Sequence, residues 1–505
     1  MSYKIYDVTQ TELEHSGYIV KINGAEVKPD TARVSAMPFN RRWPGHQRGI
    51  EQSELINFVS LETDEELHFE VIPNEPFENV VIRPVALGIE PEITDDGRIL
   101  FTLKKAAYFT VEPYGRHNAL HIFADPISNY NIDKEDSNVI YFGKGEHEVG
   151  MIHLESNQTL FIDEGAVVYA CVHAIDAENI KILGRGILDN SHNKEEILFE
   201  ANVKNNSTSV GNAKRIHTVQ LEYCKDIEID GITIRDSLVY NIRPVACENI
   251  DIKNVKIIGC WRYNSDGIDM HNCTNVSIDN CFIRTFDDSI CVKGFDCYYK
   301  GDVEKEVQKA MRRNGKVYDV FKNVLIKNCV IWNDWGRCLE IGAETRAEEI
   351  SDIVFENCNI IHTTHAILDC QNVDYADVHD VTFKNITIEL EDEIPEPLLQ
   401  GYDEEPYQNA DSDYSPSTIT VEVIFHYEYS AGGKRRGRNR NITFDNINFY
   451  GRHKPKFNFT GYDEEHMTSD ITISNFFVNG KPLEKGGYEI EKNEFCKNIS
   501  VKTEK

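Results

Sequence analysis

The sequence predicts an all-β protein, in which a right-handed parallel β-helix follows an N-terminal β-sandwich. The main observation is a six-residue phrase that recurs nine times between Asn179 and Val478. Each copy opens with Asn or Asp, has apolar residues at alternate positions and closes with Gly or Asn. Such a repeat is typical of solenoids, whose units bury their apolar faces against their neighbours. The copies begin at Asn179, Asp226, Asn249, Asn275, Asn323, Asp352, Asp380, Asn441 and Asp470.

The spacing and the inner pattern of the copies identify the repeating unit as a β-strand. Most copies follow the previous one after 23 to 29 residues, and the longer gaps hold an extra turn or an insertion. Alternation with a period of two places the apolar side chains on one face of a strand. The closing Gly or Asn suits a tight corner with positive φ. Successive copies therefore stack in parallel.

The first part of the chain lacks this repeat. Residues 1–118 contain short alternating strands separated by Pro and Gly, which predicts a β-sandwich domain. Residues 119–505 are assigned to the β-helix domain, and the segment NALHIFAD is interpreted as one of its first rungs.

Three insertions interrupt the repeat. Helical spacing predicts a helix at 302–316, and an acidic segment with four prolines spans 391–416. A basic loop spans 430–440, with five Lys and Arg in an otherwise acidic protein. We interpret this loop either as a solvated loop whose positive charge balances the acidic 402–413 stretch or as a substrate contact.

Composition narrows the classes of partner. The formal net charge of −31 argues against nucleic acid and anionic membranes. The chain has no 18-residue apolar run and no apolar signal segment near its start, so we expect a cytoplasmic protein. Thirteen cysteines are an odd number, which excludes a complete disulfide framework. Cys281, Cys329 and Cys358 recur at one repeat position, which favours buried thiols over a metal site, since paired CxxC and His spacing is lacking. We expect no cofactor and no metal, and homo-oligomerisation is left open.

Three closely spaced aspartates are the main candidates for catalytic residues. Asp266 lies 21 residues before Asp287 and 22 before Asp288, close to one turn of the solenoid. Alignment of the apolar segments places Asp266 beside Asp288, about 4.8 Å away across one inter-strand spacing. Like charges so close raise at least one pKa, which leaves a protonated acid beside ionised carboxylates. Glycoside hydrolysis needs this division, because one carboxyl protonates the leaving oxygen and another activates water.

Two other interpretations of these aspartates stay open at this point. Asp commonly occupies solvated turns of a β-helix, and oxygen-rich clusters also bind Ca²⁺.

The strings NSDGID, FDDSICVKG and GRCLEIGAET resemble the motifs of glycoside hydrolase family 28. These are polygalacturonase-type β-helix enzymes with the hallmark motifs NTD, DD, GHG and RIK. The resemblance implies that Asp287 is the general acid and that Asp266 and Asp288 hold the attacking water. It also implies a direct displacement that inverts the anomeric centre.

The resemblance further implies substrate-binding residues. Asn264 matches the Asn of NTD, Lys293 matches a Lys after DD in bacterial members, and Glu344 matches a Glu after GHG. Arg337 stands where the family has the His of GHG, and we expect it to orient the acid pair or to bind the substrate.

The RIK motif is replaced in this chain. Residues 367–369 read Ile-Leu-Asp, so an apolar and an acidic side chain stand where the family grips the galacturonate carboxylate. Asp369 would repel a carboxylate but accepts hydrogen bonds from sugar hydroxyls, and Glu340 adds another acceptor. His365 either supplies the lost His from the next rung or is a solvated turn residue. These departures predict a neutral sugar, as in related β-helix enzymes that act on dextran-type α-glucans.

The function expected from the sequence is inverting, exo-acting hydrolysis of α-linked oligosaccharides at a neutral sugar. One alternative is a polygalacturonase that hydrolyses α-1,4-galacturonide links in pectin fragments. A β-elimination lyase and a non-catalytic carbohydrate-binding β-helix are the others.

Overall fold

The computed structural model describes residues 3–36, 50–193, 217–295, 305, 308–309, 311–397, 413–426 and 434–503. The chain forms an N-terminal β-sandwich and a right-handed parallel β-helix, as the sequence predicts. No helix among these residues has the length and apolar character needed to cross a membrane.

The N-terminal domain consists of two sheets that pack face to face. One sheet has six strands and the other has five, and their inner faces share an apolar core that includes Phe69, Phe101 and Phe109. Two short 3-10 helices, Ile50–Gln52 and Val85–Leu87, interrupt the strands. The strands are Tyr3–Ile5, Tyr18–Ile22, Ala25–Val27, Asp30–Ser35, Ser53–Thr63, Leu67–Pro73, Val81–Arg83, Glu92–Ile93, Ile99–Leu103, Ala107–Arg116 and Leu120–Asp125.

The strand Leu120–Asp125 corrects the sequence interpretation. It pairs with Ala107–Arg116 and with Ser53–Thr63 inside the six-stranded sheet, so it is not a rung of the β-helix. The first strand of the β-helix is Val139–Phe142. The junction therefore lies between residues 125 and 139, later than the expected boundary at 118.

Each turn of the β-helix contributes strands to three parallel sheets, and we call the sheet that holds the recurring phrase the motif sheet. Its strands stack in register, so that Ile250 faces Val276 and Val276 faces Val324. The motif sheet comprises Val139–Phe142, Thr159–Ile162, Glu178–Gly184, Lys225–Asp230, Glu248–Lys253, Thr274–Asp279, Val320–Lys327, Glu349–Glu356, Asp377–Glu389, Arg438–Tyr450, Thr468–Val478 and Cys496–Val501.

We call the second sheet the covered sheet, because the N-terminal domain packs on it. The short strand Lys481–Pro482 pairs antiparallel with the end of Thr468–Val478. Toward the C-terminal end, the covered sheet is continued by the long motif strands Asp377–Glu389, Arg438–Tyr450 and Thr468–Val478. Its other strands are Gly145–His153, Ala166–Ile175, Ile187–Asp189, Thr233–Arg235, Lys256–Ile258, Phe282–Thr285, Val330–Asn333 and Asn359–His362.

The third sheet is called the site sheet, because it positions the predicted catalytic residues. It begins with the C-terminal ends of Gly145–His153 and Ala166–Ile175. The strands that follow are Val219–Glu222, Ile242–Val245, Ile268–His271, Ile290–Lys293, Arg337–Ala343, Ala366–Asn372, Ser417–Val423, Lys456–Thr460 and Glu489–Lys492.

Both ends of the recurring phrase lie at corners of the β-helix. The closing residues have positive φ as predicted, for example 87° at Gly231 and 54° at Asn254. The opening residues also have positive φ, for example 55° at Asn249, which the sequence analysis missed. Asn and Asp tolerate this conformation, and their side chains bond from turn to turn, as between Asn249 and Asn275 at 3.0 Å.

The interior of the β-helix is a continuous stack of small and branched apolar side chains. Cys281, Cys329 and Cys358 are fully buried in it, which confirms the predicted thiol ladder. A second ladder of Cys224, Cys247 and Cys273 stands at another corner, and none of the described cysteines forms a disulfide.

The insertions are only partly described. Residues 305, 308 and 309 are helical, but Arg312–Arg313 and Lys316–Val317 form a hairpin where the predicted helix would end. The acidic stretch 402–412 and residues 430–433 lie outside the described residues.

The described part of the basic loop pairs with acids of neighbouring turns. Arg435 lies 2.9 Å from Glu348, while Arg438 and Arg440 both bind Asp377, at 2.7 and 3.0 Å. These contacts are structural, and both sequence interpretations of the loop missed them.

Among the described residues, the N-terminal domain packs against the covered sheet and not against the site sheet. Phe123 contacts Phe282, with 5.1 Å between ring centroids, and His121 stacks on Trp332 at 5.5 Å. The aromatic side chain of Trp332 therefore belongs to the domain interface.

Candidate active site

The three predicted aspartates converge at the start of two neighbouring strands of the site sheet. Ile268 pairs with Ile290, so Asp266 lies beside Asp288 as the spacing predicts. One carboxylate oxygen each from Asp266, Asp287 and Asp288 lie within 4.8 Å of one another.

Two glycines permit this close approach. A Cβ atom on Gly336 would lie 2.5 Å from the backbone of Asp287 and of Asp288, and one on Gly267 would lie 2.2 Å from the Ser289 carbonyl oxygen. Larger residues at these positions would push the strand ends apart.

Backbone amides fix the two neighbouring carboxylates. The Asn264 N–H donates to Asp287 at 3.2 Å, and Asn264 itself adopts a positive φ of 54°. The Arg337 N–H donates to Asp288 at 3.0 Å, and the Asp288 N–H donates to the Asp287 carboxylate at 3.1 Å.

Lys293 lies at the inner side of the cluster. Its Nζ is 2.8 Å from Asp269, 3.4 Å from Asp288 and 3.6 Å from Asp266. A fourth carboxylate, that of Glu344, is 3.7 Å away. The Lys293 side chain is 4% exposed, so it contacts carboxylates rather than solvent.

Arg337 lies on the outer side of the cluster, with a side chain that is 21% exposed. Its Nε is 2.6 Å from Asp369 and 3.5 Å from Glu340, and one terminal nitrogen is 3.9 Å from Asp288. Glu340 and Asp369 are opposite neighbours on adjacent strands, and both are buried. Arg337, which stands where the family has the His of GHG, therefore pairs with Asp369, which stands where the family has the Lys of RIK.

Together these residues form what we call the carboxylate cluster, an assembly with many more acids than bases. Its cations are Lys293 and Arg337. Its acids are Asp266, Asp269, Asp287, Asp288, Glu340, Glu344 and Asp369.

Burial and mutual repulsion divide the protonation states of the cluster. Burial and the charge of Asp288 raise the pKa of Asp287 to about 7. Burial would also raise the pKa of Asp288, but Lys293 and Arg337 outweigh it and hold that pKa below its usual range. Burial and the neighbouring acids raise the pKa of Asp266 well above normal, and burial raises that of Asp369 to about 7.

Sequence reasoning missed Asp269. Its side chain is completely buried, and it contacts Lys293 at the shortest distance of the four acids around that lysine. The alternation of the strand held the signal, because Asp269 follows the inward-facing Ile268 and therefore points outward with Lys293.

His365 lies at the opening beside Arg337. Surrounding protein atoms and the Arg337 charge lower the pKa of its imidazole to about 4, although its outer face is exposed. The ring is therefore neutral near pH 7, and its role in substrate binding stays a prediction.

An aromatic stack borders the cluster on the side where the chain approaches it. Tyr263 and Phe286 are buried, and the half-buried ring of Trp335 stacks on Phe286 at 5.4 Å and 3°. Trp335 is thus the most exposed member of the stack. Tyr240 and Trp261 are buried and act in packing.

Among the residues that the structure describes, two groups of side chains have the donor atoms for a metal ion. These are the three aspartates and the set of Asp288, Cys291 and Glu340. Lys293 or Arg337 contacts a member of each set, and their positive charges oppose a dication. The arrangement fits proton transfer better than metal binding.

Comparisons with known proteins identify the family to which the chain is related. Residues 147–424, more than half of the chain, match the model of the family described as Glycosyl hydrolases family 28. A protein named "Probable polygalacturonase" from Vitis vinifera is 30% identical over 202 residues, which are 35% of this chain and 41% of that protein. An "Exopolygalacturonase clone GBGE184" from Arabidopsis thaliana is 25% identical over 234 residues, 41% of this chain and 51% of that protein. The matched region thus spans about half or less of these relatives.

A solved structure shows the same fold. Dex49A from Penicillium minioluteum superposes with a TM-score of 0.63 over 98% of this chain and 95% of that chain, at 14% identity. The likeness therefore includes both the N-terminal domain and the β-helix.

Proposed function

Because the chain belongs to glycosyl hydrolase family 28, we propose that it hydrolyses α-linked oligosaccharides with inversion, at a neutral sugar. Exo-action is part of the proposal, since large insertions border the site sheet.

The observation that carries the proposal is the convergence of Asp266, Asp287 and Asp288, of which Asp288 lies 3.4 Å from Lys293 and 3.9 Å from Arg337. These cations hold the pKa of Asp288 below its usual range, whereas burial and Asp288 raise the pKa of Asp287 to about 7, so that Asp287 is partly protonated at neutral pH. General acid and base catalysis needs one group in each state.

In the proposed reaction, Asp287 donates its proton to the glycosidic oxygen as the bond to the anomeric carbon breaks. Asp288, with Asp266 beside it, orients a water and removes its proton as the water oxygen bonds to that carbon. The products are a sugar with inverted anomeric configuration and a free alcohol.

The spacing of the carboxylates makes the stereochemistry a real test. Their oxygens lie within 4.8 Å, closer than the roughly 6.5–9.5 Å typical of an acid and a base in inverting enzymes. Inversion is proposed from family membership and from the pairing of Asp266 with Asp288 as joint holders of water. A retained anomer would instead indicate a carboxylate nucleophile.

The charge balance of the carboxylate cluster supports a neutral sugar. Asp369 neutralises Arg337 at 2.6 Å, and Lys293 is surrounded by four acids. A substrate carboxylate at 4 Å from one uncompensated acid would meet a repulsion of about 4 kcal/mol at an effective dielectric constant near 20.

A polygalacturonase is the second candidate, favoured by the names of the relatives. Arg337 is the most exposed cation of the carboxylate cluster, and a galacturonate carboxylate would have to displace Asp369 from it.

The test is a panel of neutral and uronic α-linked disaccharides, with NMR detection of the released anomer. We expect hydrolysis of a neutral substrate and first appearance of the inverted anomer. Cleavage of digalacturonate alone would select the polygalacturonase, and an unsaturated product would indicate a lyase. No turnover on a broad panel would favour a non-catalytic binding protein.

A further inference from the structure

The buried lysine of the carboxylate cluster contacts acids on every side. Asp269, Asp288, Asp266 and Glu344 lie 2.8 to 3.7 Å from the Lys293 Nζ. With a side chain that is 4% exposed, Lys293 has little surface to offer a substrate.

We propose that Lys293 and Asp269 form a positioning pair, in which Asp269 holds the ammonium group where its charge keeps Asp288 ionised. This inference rests on the proposed hydrolysis, and it replaces the expected substrate-binding role of Lys293.

The register of the site sheet places the pair at this point. Asp269 faces Cys291 on the next strand, and Lys293 lies two residues further along the same outward row. The lysine side chain therefore reaches back toward the strand ends, where Asp288 and Asp266 stand.

The geometry distinguishes the two neighbouring carboxyls. The ammonium group lies 3.4 Å from Asp288, whereas Asp287 is held by the backbone N–H of Asn264 at 3.2 Å. A fixed positive charge beside only one of two adjacent acids separates their ionisation, which is what an acid and base pair requires.

Among the described residues, the titratable groups around Lys293 include His271, Tyr240 and Cys291, and the cation Arg243 lies beside Asp269 in the strand register. His271 lies opposite it on the neighbouring strand, and burial, with the charge of Arg243, lowers the pKa of its imidazole, which accordingly stays neutral. The Tyr240 ring lies 5.4 Å from the Nζ, and burial raises the pKa of its phenol, as it does for the Cys291 thiol.

The test is the pH dependence of kcat/KM in two variants, each of which removes one member of the pair. Lys293→Met removes the cation, so the acidic limb should move up by about 1–3 pH units, with kcat reduced and KM little changed. Asp269→Asn releases the ammonium group from its nearest partner, so the acidic limb should also move up, by less than in Lys293→Met. Lys293→Arg should keep the limb close to the wild-type position.

A matched control is Lys327→Met, which removes a lysine paired with Asp279 at 3.2 Å on the motif sheet. It should leave both limbs unchanged. A substrate-binding role for Lys293 predicts instead a raised KM with unmoved limbs. An acidic limb that stays in place or moves down in Asp269→Asn would show that Asp269 does not hold the ammonium group beside Asp288. Either result would overturn the proposal.

A second readout does not depend on turnover. Titration of the Asp288 carboxyl, followed by ¹³C NMR and assigned with Asp288→Asn, should show the same upward shift in folded Lys293→Met. A shift without activity on any glycoside would refute the proposed function but keep the pair. Activity without a shift would refute the pair alone.

Discussion

Two buried groups of charged residues in this protein are built on opposite principles. The carboxylate cluster has seven acids around Lys293 and Arg337. The second group, which we call the interface network, joins the N-terminal domain to the β-helix and, among the described residues, has four acids and four bases. Its members are Arg83, Glu112, Arg116, Arg284, Asp334, His362, Glu389 and Glu391.

In the interface network, acids and bases are equal in number and alternate in their contacts. Arg83 lies 3.2 Å from Glu112 and 2.6 Å from Glu389, and His362 lies 2.9 Å from Glu112 and 3.0 Å from Glu391. Burial would raise the pKa of Glu391, but Arg116 and His362 outweigh it and lower that pKa.

The carboxylate cluster lacks this match, and protons take the place of the missing cations. Burial and repulsion raise the pKa of Asp287 to about 7, a value suited to proton transfer near neutral pH. The comparison teaches that buried carboxyls stay ionised where acids and bases are equal in number. Where acids are in excess, the same burial raises carboxyl pKa values and so provides groups that can donate a proton.

The largest expected effect is that of Asp287→Asn. Loss of the proposed acid should reduce kcat by about 10²–10⁴-fold. Stability at pH 8 should rise, because Asn removes a repelling charge from the cluster. The raised pKa of Asp287 means that its contribution to stability is full below about pH 4 and is lost as pH rises through about 7. Steady-state kinetics and urea unfolding check both results, and undiminished turnover would remove Asp287 as the acid.

The reverse result is expected for Glu112→Gln in the interface network. It leaves Arg83 and His362 each short of one partner, so the free energy of unfolding should fall by about 3–5 kcal/mol. The kcat of the folded protein should not change. Asp96→Asn, which breaks an exposed pair with Arg98, is the control and should leave stability unchanged. A loss of activity without a loss of stability would contradict the division between the two groups.

A smaller effect is expected for Asp369→Asn. Without its partner at 2.6 Å, Arg337 carries an uncompensated charge, so kcat/KM for a uronic substrate relative to a neutral one should rise about tenfold, or ~1.4 kcal/mol. Asp374→Asn, next to Arg346 at 3.5 Å, is an equally buried control that should not alter the ratio. An unchanged ratio in Asp369→Asn would mean that the pair of Arg337 and Asp369 does not determine the preference for a neutral over a uronic sugar.

The repeat made much of this predictable from the sequence. Alternation and spacing gave the solenoid, and the register followed because one turn separates Asp266 from Asp288. Alternation does not tell which sheet a strand joins, so Leu120–Asp125 was placed in the wrong domain.

The partners of the cluster were harder to foresee. Asp269 is the last residue of the string NSDGID, and the sequence analysis assigned it no role. Its outward direction nevertheless follows from the inward direction of its neighbour Ile268. The pair of Arg337 and Asp369 depends on side-chain reach across adjacent strands, which spacing alone does not define.

The most direct test of the unbalanced cluster is the pH dependence of kcat/KM on the best disaccharide of the panel. We expect a bell-shaped profile whose basic limb lies near pH 7, because Asp287 must keep its proton to act as the acid. Activity that stays constant or rises from pH 7 to about 9 would contradict the account, since a protonated Asp287 would then not be required.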